Sequence, residues 1–309
     1  MQVIEVKQII KIMTMKIQNI NTPQNNNDKN SKIKKTIAKG AVVAACWEAM
    51  PYVSKCINYP INKFQDKQII KFQNGNFIPY IRKAIEENFM YELSFLNINP
   101  ANLDKIKEKF GIKDYKLDKL TKIKNHILHT PYTVEKTFEK TAKGENAIFI
   151  NGYNLIIANL RKNSAIIFHE MGHRNNEKSK NVLMKMIRKI KHPLRIYGPS
   201  AVALCTLLTP TKDEDSKKKN VFDFIKNNCG KLTALVLLPT LIEESFANIN
   251  GLKIAKSAGV TGELLKKVKN INKLSIFTYA TTIFVRSSTI YLLDKLKDAG
   301  LKKINEAVE

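Results

Sequence analysis

Arginine is scarce in this chain. Of 52 basic residues only 6 are arginine, although the formal net charge is +25. Lysine, asparagine and isoleucine number 46, 31 and 38, and all three are encoded by AT-rich codons, so coding bias accounts for much of the charge. Arginine is the residue that reads bases and phosphates in bidentate fashion, and its scarcity argues against a nucleic-acid partner. Cysteine is equally sparse: Cys46, Cys56, Cys205 and Cys229 form no C-x-x-C pair. That excludes a disulfide framework and a cysteine zinc site, and it suits a reducing compartment. A long uncharged run is also missing near the start, where Glu5, Lys7 and Lys11 interrupt the apolar residues, so residues 1–12 do not read as a secretory signal.

What is present is enough to fold. Of 309 residues 44% are hydrophobic and 26% charged, which excludes a wholly disordered chain. Residues 1–35, rich in asparagine, lysine and glutamine, read as a disordered basic tail. Residues 36–145 read as a helical region. Within it, 37–53 are apolar but carry Lys39 and Glu48, so they suit a membrane-facing helix or an ordinary core helix equally. Asn99-Pro100-Ala101-Asn102 predicts a helix start, with an end near Gly111. His126 and His129 lie three apart and read as two exposed polar residues.

Residues 146–309 form the informative part. Two β-rich runs in 146–158 flank Asn151-Gly152, a strong hairpin signal, and a helical run begins near Ser164. Three apolar segments follow, at about 194–210, 222–243 and 274–293. Each is marginal against the roughly 20 apolar residues a membrane helix needs. They suit either buried core helices or membrane spans, and their number within 100 residues favours spans. Residues 178–195 hold seven Lys or Arg and no acid, and 244–273 hold six Lys against two Glu. Basic flanks of this kind place the adjoining side in the cytoplasm and attract anionic lipid headgroups. The expectation is a multi-pass membrane protein.

The chemistry lies in His169-Glu170-Met171-Gly172-His173. In this HExxH pattern the two histidines, i and i+4 on a helix, project from one face and can bind one zinc ion. Glu170 sits on the neighbouring face, where it can take a proton from a water. The alternative is a core helix carrying two hydrogen-bonded histidines. A catalytic zinc needs a third protein ligand. No third histidine follows in residues 174–179, so a downstream carboxylate is required, and Glu243-Glu244 supplies the candidates directly after an apolar run.

HExxH, apolar segments and then Glu244-Ser245-Phe246-Ala247-Asn248 resemble the membrane-integrated gluzincin metallopeptidases, which include the CAAX prenyl endopeptidases and the bacterial heat-shock membrane proteases. The resemblance covers about residues 146–293. It implies a zincin-like core, mainly α with a small β-hairpin beside the active helix. It also implies one Zn2+ held by His169, His173 and Glu244, with Glu170 as general base in peptide-bond hydrolysis. Aligned on Ala247, Asn248 stands where that family has an aspartate supporting a zinc histidine. Asn146-Ala147 match the start of a strand that pairs with extended peptide or membrane-protein substrate. Tyr197 and His192 are candidates to stabilise the oxyanion. A catalytically inactive relative, acting as a binding or scaffold module, is the alternative.

Overall fold

The computed structural model describes residues 28–72, 76–90, 92–110, 134–150, 153–162, 164–209 and 220–306. The helices are α1 (Asp28–Phe72), α2 (Ile78–Phe89), α3 (Leu103–Lys109), α4 (Val134–Lys143), α5 (Ile167–Lys178), α6 (Val182–Leu208), α7 (Val221–Asn227), α8 (Cys229–Ser257) and α9 (Gly262–Glu306). Three short strands are interspersed: β1 (Ser94–Asn97), β2 (Ala147–Ile150) and β3 (Leu155–Ala158). The chain divides into two compact units. The first comprises residues 1–59, 196–236 and 283–309, and the second residues 60–195 and 237–282.

The second unit is built round the sheet, in the order β1-β3-β2. β3 lies in the centre, parallel to β1 (Ser94 opposite Leu155) and antiparallel to β2 (Ala147 opposite Ala158). The antiparallel β2–β3 pair is the expected hairpin, although its turn residues Asn151 and Gly152 lie outside the described residues. Alternation along β3 splits its side chains between two cores. Ile157 packs with Ile98, Ile106, Phe138 and Ala142 under α3 and α4. Ile156 and Ala158 join Ile167, Phe168 and Met171 of α5, together with Phe77, Ile254 and Val268. α3 begins after Asn102, at the start its sequence predicts. A single 3-10 turn at Ser164–Ile166 leads into α5, whose apolar residues Ile167, Phe168 and Met171 are fully buried. That burial locks the helical phase of the HExxH residues relative to the sheet.

In the first unit, α1 buries one stripe, Ala38, Val42, Cys46 and Ala49, against Leu207, Leu293 and Ile304. Their spacing is that of one helix face, so 37–53 has the pattern of a helix with one packed side. α1 begins at Asp28, inside the stretch whose composition predicts a disordered tail to residue 35. The lysine-rich turns there continue without a break into the apolar run they precede. Residues 1–27, His126 and His129 lie outside the described residues.

Among the described residues one helix, α8, is long and apolar enough to cross a membrane, and 39% of its most apolar stretch is buried within the protein. Core helices of soluble proteins share this property. Residues 194–208 of the first segment fall in α6, and 274–293 fall in α9. Arg195 interrupts the first, and Arg286 with several threonines and serines dilutes the second.

Candidate metal centre

α5 and α8 cross at close range, and two glycines allow it. A Cβ on Gly172 would fall inside the backbone carbonyl of Ala247, and one on Gly251 inside that of Phe168. With no side chain at either position the two backbones touch. The contact sets the HExxH helix directly against the turn of α8 that carries Glu243, Glu244, Ala247 and Asn248.

Three ligand atoms converge there. His169 Nε2 and His173 Nε2 are 3.0 Å apart, and Glu244 Oε2 lies 3.3 Å from each. The circle through three atoms at these separations has a radius of about 1.9 Å, so a point about 2.1 Å from all three lies just off their plane. That is the zinc–ligand distance, with one side left open. Each imidazole turns its other nitrogen to a separate partner: His169 Nδ1 meets Asn248 Oδ1 at 2.7 Å, and His173 Nδ1 meets Glu243 Oε1 at 2.9 Å. With both Nδ1 atoms engaged as donors, both Nε2 atoms present lone pairs to the shared point. Glu244 Oε2 is buried and has no partner in hydrogen-bonding geometry among the described residues. The donor set of two imidazoles and one carboxylate, together with this orphaned oxygen, fits a zinc ion.

Charge points the same way. The surroundings shift His173 well above its ordinary pKa: burial opposes the charged form, but the Glu243 carboxylate on Nδ1 and the nearby Glu244 and Glu170 carboxylates outweigh it, so a proton competes with a metal for its Nε2. Glu170 shifts upward, because its burial outweighs the pull of the two imidazoles and a hydrogen bond from the Phe149 amide. A pocket that retains a proton this strongly favours cations in general.

Glu170 is buried, and its Oε2 accepts a 2.9 Å hydrogen bond from the backbone N–H of Phe149 in β2. This ties the HExxH glutamate to the strand that forms one edge of the described sheet. A cleft of about 890 Å³ opens over the centre. Asn146, Ala147 and Phe149 line it on the strand side, with His169, Glu170 and His173 also exposed to it, and Arg188, Lys191 and Arg195 come from α6. Neither Tyr197 nor His192 lines this cleft. Tyr197 belongs to the first unit, and His192 is exposed on α6. Tyr279 of α9 lines the cleft instead, hydrogen-bonded to Glu244.

Several residues of the centre carry no motif. Asn176 Nδ2 donates to the Glu243 carbonyl at 3.0 Å and to its Oε1 at 3.2 Å, and Asn250 Nδ2 donates to Asn176 Oδ1 at 2.8 Å. Asn272 and Asn248 exchange side-chain amide bonds with each other's backbone carbonyls at 2.9 and 3.1 Å. Asn248 was expected from its offset from Glu244, but in a chain with 31 asparagines nothing marks Asn176, Asn250 and Asn272 beforehand. The acid pair Glu243-Glu244 was marked in the sequence, with Glu244 favoured by the alignment on Ala247, and the crossing of α5 and α8 shows where each member lies. No protein-family model, no curated protein and no solved structure matches the chain.

Proposed function

We propose that this chain is a zinc-dependent endopeptidase that works at a membrane. The observation that carries the reading is the convergence of His169 Nε2, His173 Nε2 and Glu244 Oε2 on one point, with each Nδ1 held by an outer partner. A zinc ion held by these three residues would polarise a scissile carbonyl and bring the pKa of a water toward neutrality. Glu170 is the general base. Its upward-shifted carboxyl suits a group that takes a proton from water and passes it to a leaving amine near neutral pH. β2 has β3 on one side, and its other edge borders the cleft, so an extended peptide can add there as a further strand with Asn146 and Ala147 among its contacts.

The membrane part of the proposal rests on α8 and on exposed apolar side chains such as Leu204, Leu208, Phe222, Leu235 and Phe284. In this reading 194–210 and 274–293 add further membrane passes. The lysine-rich flanks meet anionic headgroups, and the centre faces the cytoplasm. Membrane fractionation tests this half: release by carbonate or high salt, without detergent, excludes an integral protein and leaves the zinc centre standing.

The enzymatic half is tested on the purified chain. Metal analysis should give one zinc per chain. Cleavage of an unfolded polypeptide should stop on chelation and return with zinc. A second reading, a zinc-binding scaffold without turnover, is favoured by the Phe149–Glu170 hydrogen bond, which engages the base. It predicts one zinc per chain and no cleavage.

A further inference from the structure

The two histidines are held unequally. His169 Nδ1 faces a neutral amide oxygen, that of Asn248, at 2.7 Å, whereas His173 Nδ1 faces the carboxylate of Glu243 at 2.9 Å. Glu243 is only 2% exposed, and a buried carboxylate is costly to desolvate unless its partners compensate. It has two such partners besides the imidazole, Asn176 and Lys191. Asn176 donates to its carbonyl and to Oε1, with Asn250 bracing Asn176, and the Lys191 ammonium lies 2.8 Å from Oε2. Consecutive positions on a helix point about 100° apart, and Glu243 and Glu244 meet the His173 ring from different sides. One reaches the Nε2 side of the imidazoles and its neighbour reaches the Nδ1 side.

We propose that Glu243 is the positioning residue that supplies the outer negative charge of this metal centre, through His173, where Asn248 leaves His169 without one. A carboxylate on the far nitrogen fixes the ring and its tautomer and makes the metal-facing nitrogen more basic. An amide oxygen does the first of these and little of the second. His173 is therefore the stronger of the two imidazole donors, and zinc affinity depends on position 243 more than on position 248. The inference rests on the zinc reading above.

The test is a cycle of three variants, read by zinc affinity in competition with a chromophoric chelator, with melting of the metal-free proteins as the control for folding. Glu243→Gln keeps the shape and an oxygen acceptor for His173 but removes the charge. It should weaken zinc binding about 10- to 100-fold. Adding Asn248→Asp to that variant places a charge on the other histidine and should recover most of the loss. Asn248→Asp alone should change affinity by less than about threefold, because Glu243 already provides the charge. Affinity unchanged in a folded Glu243→Gln protein overturns the proposal, as does a failure of Asn248→Asp to rescue it. If Glu243→Gln does not fold, the single Asn248→Asp variant decides: a tenfold gain there shows that the centre lacked an outer charge and overturns the proposal, and a gain under threefold supports it. Absence of zinc from the wild-type protein removes the zinc reading itself. Zinc present with Glu243 indifferent removes only this inference.

Discussion

The two units of the chain bury charge in opposite ways. In the first, Lys297 is completely buried, donates to the carbonyls of Thr206 and Thr209 at 2.9 and 3.0 Å, and lies 3.1 Å from Asp294. Lys226 pairs with Asp298 at 2.8 Å, so two cations meet two anions. In the second, the buried carboxylates of Glu170, Glu243 and Glu244 face two imidazoles and the partly exposed Lys191. A cluster with equal numbers of cations and anions works as a staple between helices. An excess of buried carboxylate round two open imidazole nitrogens needs a cation from outside. That imbalance, more than burial itself, distinguishes the candidate centre from the scaffold.

The largest expected effects fall on the unbalanced cluster. His173→Ala removes a ligand, and both zinc and hydrolysis should disappear, as metal analysis and a peptide-cleavage assay will show. Glu170→Gln keeps the proposed ligands and removes the proposed base. Zinc content should stay at one per chain while turnover falls about 10²- to 10⁴-fold. Loss of zinc from that variant would make Glu170 a ligand and change the proposed chemistry.

The balanced cluster should respond in stability. Lys297→Met leaves Asp294 buried without its nearest cation and should cost about 3–5 kcal/mol, read by denaturant unfolding. The double variant Lys297→Met with Asp294→Leu retains the Lys226–Asp298 pair and should recover most of that loss. A double variant as unstable as the single one would show that the network has a role other than charge balance.

The helix crossing gives a smaller effect with a diagnostic sign. Glycine to alanine inside a helix ordinarily stabilises by up to about 1 kcal/mol. At Gly172 the added Cβ meets the Ala247 carbonyl, so Gly172→Ala should destabilise by about 1–3 kcal/mol and weaken zinc binding as well. A stabilised Gly172→Ala protein would contradict the close approach of α5 and α8.

The smallest effect lies at the exposed end of α5, where Glu92 accepts from Lys178 at 2.6 Å and from Arg174 at 2.7 Å. The hydrogen bond and charge of Lys178, helped by Arg174, hold the Glu92 carboxyl below its ordinary value, so folding favours the ionised form. The resulting stabilisation is complete above the ordinary glutamate pKa and fades as pH falls through the lowered one. Glu92→Gln should therefore melt slightly below wild type at neutral pH, and the two curves should merge in acid.

Much of this was legible beforehand. HExxH states its own geometry, because i and i+4 share a face of any helix, and His169 and His173 needed only the helix that the buried Ile167, Phe168 and Met171 secure. Asn151-Gly152 between two β-rich runs announced the antiparallel strands. Asn248 was legible as the partner of His169 through its offset from Glu244. Other features were hidden. Within the pair, the alignment on Ala247 already pointed to Glu244, and what stayed hidden was the place of Glu243 behind His173, which the direction of α5 decides. β1 is four residues long and finds its place beside β3 across some 60 residues of chain, a pairing that no local pattern specifies. Tyr197 and His192 were near the motif in sequence, but neither lines the cleft, and Tyr279 of α9, 106 residues beyond His173, does.

The sequence by itself determined the chemistry available: two imidazoles in phase, an adjacent base, and a distant pair of acids after an apolar run. Local periodicity and residue type are enough for that, because they depend on neighbours within a turn or two. The tertiary structure alone decided the division of labour. Two glycines let α5 and α8 touch, that contact placed Glu244 toward the imidazole Nε2 atoms and Glu243 behind His173, and Asn176, braced by Asn250, fixed Glu243. These are contacts between residues about 70 positions apart, held by shape and by hydrogen bonds that exist only once the helices have crossed.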